Sequence, residues 1–366
     1  MLGLGDGLAA RAHRRRYRPG LARYGERAVA DPAGLGRPAK TRCRFSGRRA
    51  LRPLPGIANR DPSWRSAIRR LFDPRSRDGR NIMPHMLGKQ IRQSRIIDPK
   101  SRRGFCIAFD HALQLGSCQG LERPEESLDQ MAEAGVDAVI LPLGSALTYG
   151  PRLVGNGGPK LILRLDQTTM WREGTPLDYA DGHTRLVASV EDAVMLGAEA
   201  VITYLFVGHN DPAEETAAFR ANSEINAAAR KMGIVHIIET MGARHALAAN
   251  VHDGDFVRFH SRIGCEMGAD IIKTDWPGSV AALRQITAEL PVPVMLAGGP
   301  GNGGDRGTLE RVHQIMEGGA AGILFGRSIF QARSPLAVMK ACRAIIHDRA
   351  SVEEAAEGAG GLSAAA

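Results

Sequence analysis

Residues Gly268 to Ser279 read GADIIKTDWPGS. Ile271 and Ile272 are β-branched and suit a buried strand, and Lys273 closes it. A loop carrying Trp276, Pro277 and Gly278 follows at once. A lysine at the carboxyl end of a buried parallel strand is an odd choice for structure alone. Burying an ammonium is costly, so such a group tends to lose its proton. A neutral amine in a closed site is a nucleophile that can form a Schiff base with a carbonyl. The competing reading is a salt-bridged lysine at a strand end.

The same pattern recurs on both sides of this stretch. GFCIAF, Gly104 to Phe109, reads as a strand ending in Asp110-His111. A helix is marked by PEESLDQMAEAG, with acids in its first turn and Gly135 as its stop. VDAVILPLG and KLILRLD, the latter Lys160 to Asp166, read as the next two strands. His183 to Ala198 reads as an amphipathic helix, Ala200 to Gly208 as a strand, Pro212 to Met232 as a long helix, and Ile234 to Thr240 as a strand. A helix through SRIGCEMGA leads to the lysine strand. Beyond it come helices near Ser279 to Leu290, Asp305 to Gly318 and Pro335 to His347, separated by the strands VPVMLAGGP and AGILFGR.

Each strand is a near-continuous apolar run, as parallel strands covered on both faces are. Eight strands alternating with helices over residues 104–347 predict a closed (β/α)8 barrel, an α/β fold. The alternative is an open doubly wound sheet, which usually has fewer units. Barrel chemistry sits where strands end. The strand ends are Asp110-His111, Asp166, Glu239-Thr240, Lys273, Gly298-Gly299 and Gly326-Arg327, with Trp276 in the loop after the lysine.

The 366-residue chain is 43% apolar, enough for a sizeable core. It has no apolar run long enough to span a membrane, and its first residues lack the apolar core of a secretory signal. Its five scattered cysteines form no C-x-x-C pair and fit reduced thiols in a cytoplasm. The net charge of +9 is misleading. Residues 1–82 hold 20 Arg and one Lys against six acidic residues, while the remainder carries 27 basic and 33 acidic residues. Basicity thus belongs to the first segment, and a nucleic-acid role for the whole protein has little support. That segment reads as a basic arm, as a transit-type leader, or as a stretch upstream of a later start at Met83 or Met86. The last is preferred, and disorder or a poorly packed arm is expected in any case. Residues 83–103 read as a lead-in and 348–366 as an Ala/Gly-rich tail.

AGGPGNGG, Ala297 to Gly304, follows the seventh strand, and its glycines let backbone N–H groups approach an anion. FGRSIFQ, Phe325 to Gln331, follows the eighth; Gly326 opens a short helix and Arg327 adds charge. Loops after strands seven and eight are the usual phosphate grip of such a barrel. Tight turns alone are the plainer reading of the same glycines. Asp110 suits acid/base or hydroxyl-binding work, or else an ion pair with Lys273. His111 shuttles protons or caps its loop, and the loop role is preferred. Asp166 pairs with Arg164 or binds a substrate hydroxyl, the structural role preferred.

Taken together, FDHA, DIIKT, AGGP and FGRSIFQ resemble the class I aldolases of the archaeal fructose-bisphosphate aldolase type, within the wider deoxyribose-phosphate aldolase superfamily. The likeness runs from Gly104 to His347. It implies a Schiff base on Lys273, Asp110 as the active-site aspartate, and a phosphate site at Gly298, Gly299, Gly326 and Arg327. It also implies a phosphorylated ketose or dihydroxyacetone phosphate with an aldehyde as substrates, and a homo-oligomer. No cofactor is called for, and no H-x-x-H or carboxylate cluster asks for a metal. The sequence departs from the family where a tyrosine proton donor ends strand five: Thr240 stands there, and a threonine hydroxyl is a poor general acid. DHA replaces DHG, and Ala297 stands where many members have serine. Tyr204 or Glu239 is then the candidate proton donor, Tyr204 having barrel packing as its other role. Two relatives on the same barrel are alternatives: the aminodideoxyheptulosonate synthase type and the autoinducer-2 phosphate thiolase type. An isomerase and a non-catalytic sugar-phosphate-binding barrel stand further off.

Overall fold

Apolar side chains alternate between two cores along the strands of the barrel. The computed structural model describes residues 87–155, 157–172, 175–177, 182–243, 250–299 and 303–360. The expectations for residues 1–82 lie outside the described residues. Eight parallel strands form the sheet: β1 (Gly104–Ala108), β2 (Ala138–Pro142), β3 (Lys160–Arg164), β4 (Ala200–Val207), β5 (Val235–Gly242), β6 (Ile271–Thr274), β7 (Val294–Ala297) and β8 (Gly322–Phe325). They pair in the order β1-β8-β7-β6-β5-β4-β3-β2, and β2 returns to β1, a closed barrel. This is the (β/α)8 barrel expected from the strand and helix alternation.

Successive side chains on a strand point to opposite faces. Phe105, Ile107, Val139, Leu161, Leu163, Val201, Leu205, Ile238, Ile272, Val294 and Ile323 join one core, with the surrounding helices. Cys106, Ala108, Ala138, Ile140, Ile162, Ala200, Ile202, Val235, Ile237, Ile271, Met295 and Leu324 form a second core, inside the barrel. Full burial of each aliphatic side chain contributes about 1.5–3 kcal/mol. The lead-in folds as a helix, Leu87–Ile96, whose Ile96 joins the inner core at the amino ends of the strands. Lys89 is fixed to Asp270 at 2.6 Å and Arg95 to Glu199 at 2.7 Å, holding this helix against the barrel.

Three segments differ from the sequence reading. His183–Ala198 is not one helix. Thr184–Leu186 pairs antiparallel with Asp166–Thr168, and the helix is only Val190–Met195. Ser189 and Asp192 form a reciprocal capping box that sets its start, a signal present in the sequence. A helix at Leu143–Tyr149, followed by a 3-10 turn at Gly150–Leu153, links β2 to β3. The tail contains a helix, Val352–Gly358, capped by Ser351 and seated through Val352, Ala355 and Ala356 on the outer core. Among the described residues no helix is long and apolar enough to cross a membrane.

Candidate active site

The inner face changes character near the carboxyl ends of the strands. One inward step beyond Ile162 stands Arg164, beyond Ile202 Tyr204, beyond Ile237 Glu239, beyond Ile271 Lys273, and beyond Ala108 Asp110. Parity alone carries these groups into one layer, and the strand register sets Tyr204 beside Glu239 and Glu239 beside Lys273.

Arg164 is the hub. Its side chain is fully buried. Nε donates to Asp110 at 2.7 Å, Nη1 donates to Asp166 at 3.3 Å, and Nη2 donates to Glu239. Its guanidinium lies 3.9 Å from the centroid of the Tyr204 ring. An isolated buried guanidinium would be prohibitive, but three carboxylates and a ring face satisfy it. Sequence reading weighed Arg164 only as a partner for Asp166. Among the described residues no group of three or more His, Cys, Asp or Glu side chains is arranged to hold a metal ion. The space between Asp110, Asp166 and Glu239 is filled by the arginine.

Lys273 is 4% exposed, and its Nζ lies 2.6 Å from Glu239 Oε1. Of the two sequence readings, the salt-bridged lysine is the one the structure shows, and its partner is Glu239 rather than Asp110. Glu239 bridges the two cations, since its other oxygen accepts from Arg164. Burial pushes the Glu239 carboxyl up, but Lys273 and Arg164 outweigh it and hold the group below its ordinary value. Asp110 follows the same balance, with Arg164, His111 and Lys273 overcoming burial. Asp166 accepts from the Tyr204 backbone N–H at 2.7 Å. For Asp166 burial wins over Arg164 and pushes the carboxyl up to about 6.

A fourth carboxyl, Asp275, is 7% exposed and shares the inward parity of Lys273. Burial, then the Glu239 charge, pushes it up to about 7. Two cations thus face four carboxyl groups, of which two are held ionised and two are raised toward neutrality by burial. Sequence reading passed over Asp275, although the spacing K-T-D was the signal.

Tyr204 packs rather than protrudes. Its hydroxyl accepts from Gln114 Nε2 at 3.4 Å, and burial drives its pKa well up. Its ring stacks on Phe206 at 5.1 Å, and Met170, Phe206, Met241 and Ala243 extend this apolar wall. His111 lies 3.7 Å from Asp110. Burial pulls its pKa to about 4, so near pH 7 the ring is neutral and this contact is no ion pair. The ring sits edge-on to Phe330 at 5.3 Å and fills the space beside Gly326, where a Cβ would fall 2.3 Å from its Cε1.

Two candidates fall outside the layer. Thr240 has the opposite parity to Glu239; its methyl group faces Gly264 of the helix Gly254–Glu266, where an added Cβ would come within 2.4 Å. Trp276 packs on the outer core beneath the Arg311 guanidinium, 4.2 Å from the ring centroid. Neither enters the barrel, because each is one residue out of step with an inward neighbour.

At the ends of β7 and β8 the glycines meet. A Cβ at Gly298 would fall 2.7 Å from Ser328 Oγ, and Gly299 turns at a φ of 64°. The Ser328 hydroxyl is buried with no hydrogen-bond partner among the described residues. Arg327 is half-buried, and its charge reaches His111. Gly298, Gly299, Gly326, Arg327 and Ser328 thus border one corner of the mouth.

Residues 105–332 match the family described as DeoC/LacD family aldolase. The chain belongs to the DeoC/LacD aldolases. It is similar to an uncharacterized aldolase of Saccharolobus solfataricus, 31% identical over 74% of this chain and 98% of the relative. It is also similar to the 2-amino-3,7-dideoxy-D-threo-hept-6-ulosonate synthase of Halobacterium salinarum, 32% identical over 75% of this chain and 97% of that one. Among solved structures it resembles an archaeal fructose-1,6-bisphosphate aldolase with its catalytic lysine bound to the carbinolamine intermediate. There the TM-score is 0.62, at 26% identity over 71% of this chain and 99% of the other. The DeoC/LacD match spans seven complete barrel strands and most of β1, and so contains the whole charged layer. The sequence relatives thus lean toward a synthase, where the sequence reading put fructose bisphosphate first.

Proposed function

We propose that this DeoC/LacD aldolase works through a Schiff base on Lys273 and transfers a phosphorylated ketose fragment to an aldehyde acceptor, the reaction type of the aminodideoxyheptulosonate synthases. The observation that carries the reading is the buried Lys273 nitrogen, 2.6 Å from Glu239 on the inner face of the barrel. Glu239 takes a proton from the Lys273 ammonium, the freed Nζ lone pair attacks the ketone carbon of the donor, and a second N–H proton passes to the former ketone oxygen to give the carbinolamine. The same carboxyl returns that proton to the carbinolamine hydroxyl, which leaves as water and generates the iminium. The bond between the third and fourth carbons then breaks, its electron pair passing into the iminium to give an enamine. Asp110, ionised and oriented by Arg164, takes the proton of the hydroxyl on the fourth carbon as that carbon becomes an aldehyde. The enamine carbon adds to the acceptor aldehyde in the reverse sense, and water releases the product from the lysine. Gly298, Gly299, Gly326, Arg327 and the Ser328 hydroxyl are suited to the phosphate, whose binding energy would be spent on orientation.

Plain cleavage of fructose 1,6-bisphosphate is the second reading, favoured by the likeness to the archaeal aldolase structure. Product analysis separates them. The protein is incubated with fructose 1,6-bisphosphate, with and without aspartate semialdehyde, the acceptor that the resemblance to the aminodideoxyheptulosonate synthase type implies, and products are resolved by mass spectrometry. A coupled product, with triose phosphates appearing slowly when the acceptor is absent, is expected. Triose phosphates released equally fast without acceptor would favour cleavage.

A further inference from the structure

Every carboxylate of the charged layer is tied to a cation except one. Asp110 and Asp166 bind Arg164, and Glu239 binds both Arg164 and Lys273. Asp275 has no hydrogen-bond or ion-pair partner among the described residues, although it is 7% exposed. Its carboxyl is largely but not wholly removed from water, so a substrate atom can reach it and pair with it. Its position is also specific. It follows β6 directly, two residues after Lys273, and its charge is coupled to those of Lys273 and Glu239.

We propose that Asp275 is a catalytic acid/base that moves the proton on the enamine carbon of the Lys273 adduct. The proposal rests on the Schiff-base reading above. With dihydroxyacetone phosphate bound as the iminium, the Asp275 carboxylate removes a proton from the third carbon. The C–H electron pair becomes the enamine double bond, and the iminium nitrogen regains its lone pair. Return of a proton from the carboxylic acid to that carbon restores the iminium, so the step needs no co-reactant. The charged groups facing Asp275 are Glu239 of β5 and Lys273 of β6; Arg164 of β3 and Asp110 beyond β1 connect through Glu239. Burial, reinforced by Glu239 and opposed by Lys273, places its titration at about 7, where both forms needed for the exchange are populated.

The test uses dihydroxyacetone phosphate with the intact protein and Asp275→Asn. Two quantities are read: the borohydride-trapped adduct on Lys273, and deuterium uptake from D2O at the third carbon by NMR. In Asp275→Asn the adduct is expected to form as in the unsubstituted protein, while exchange slows about 100-fold. The limb of the exchange pH profile near neutrality is expected to vanish with it. Adduct formation doubles as the control on folding. Exchange at the unsubstituted rate, or loss of the adduct together with exchange, would overturn the role of Asp275. Absence of adduct in the unsubstituted protein would instead overturn the Schiff-base reading, and the proposal with it.

Discussion

The two halves of the barrel interior share the same strands, the same parity and the same closure, yet differ in chemistry. The amino-terminal half is a dry plug of Cys106, Ala138, Ile162, Ala200, Val235, Ile237 and Ile271, sealed by Ile96. One inward step further, the interior holds Asp110, Arg164, Tyr204, Glu239 and Lys273. The first half pays for the second: aliphatic burial offsets the desolvation of a charged layer that would not assemble by itself. Stability and the charged site are thus stacked along each strand rather than segregated into separate elements.

The comparison can be broken most forcefully at its hub. Arg164→Met leaves Asp110, Asp166 and Glu239 facing one another without their common cation. It should cost about 3–5 kcal/mol in urea unfolding and abolish turnover. Ile237→Ala, one inward step below Glu239, opens a cavity in the dry half. It should cost about 2–5 kcal/mol while leaving turnover per folded molecule unchanged. Loss of activity without loss of stability there would mean the halves are not separable.

Protonation sharpens the contrast more gently. The folded-state pKa of Asp275 lies at about 7, above its ordinary 3.8, because burial favours the neutral acid. Between these values the folded state binds more protons than the unfolded one. The stability Asp275 contributes is therefore full below about pH 4 and lost as pH rises toward 7. Urea unfolding of Asp275→Asn should lack this fall, which amounts to at most about 1.4 kcal/mol per pH unit. The smallest effect belongs to Thr240→Val. It removes an unpartnered buried hydroxyl on the helix side of β5 and should shift stability by less than about 1 kcal/mol, with activity intact. A large fall in activity would return Thr240 to the pocket.

The barrel was legible because its strands are apolar runs of regular spacing, and the long helix Pro212–Met232 was delimited by Pro212 and Gly233. The lysine and its neighbouring acids were legible as charges at strand ends. What escaped was the face each residue presents. Reading strand ends by proximity admitted Thr240 and Trp276, which alternation sends outward, and passed over Asp275, which alternation sends inward. Arg164 escaped because nothing local to KLILRLD says that three distant carboxylates converge on it. The His183–Ala198 error has a local cause: Ser189 and Asp192 begin the helix, and the residues before them pair with Asp166–Thr168.

On the Schiff-base proposal, Lys273 is the covalent centre of this interior. Borohydride reduction in the presence of dihydroxyacetone phosphate, followed by peptide mass spectrometry, tests it directly. A single reduced adduct on Lys273, absent when Lys273 is replaced by Met, is the predicted result. An active preparation that carries no adduct, or carries it on another lysine, would contradict the account.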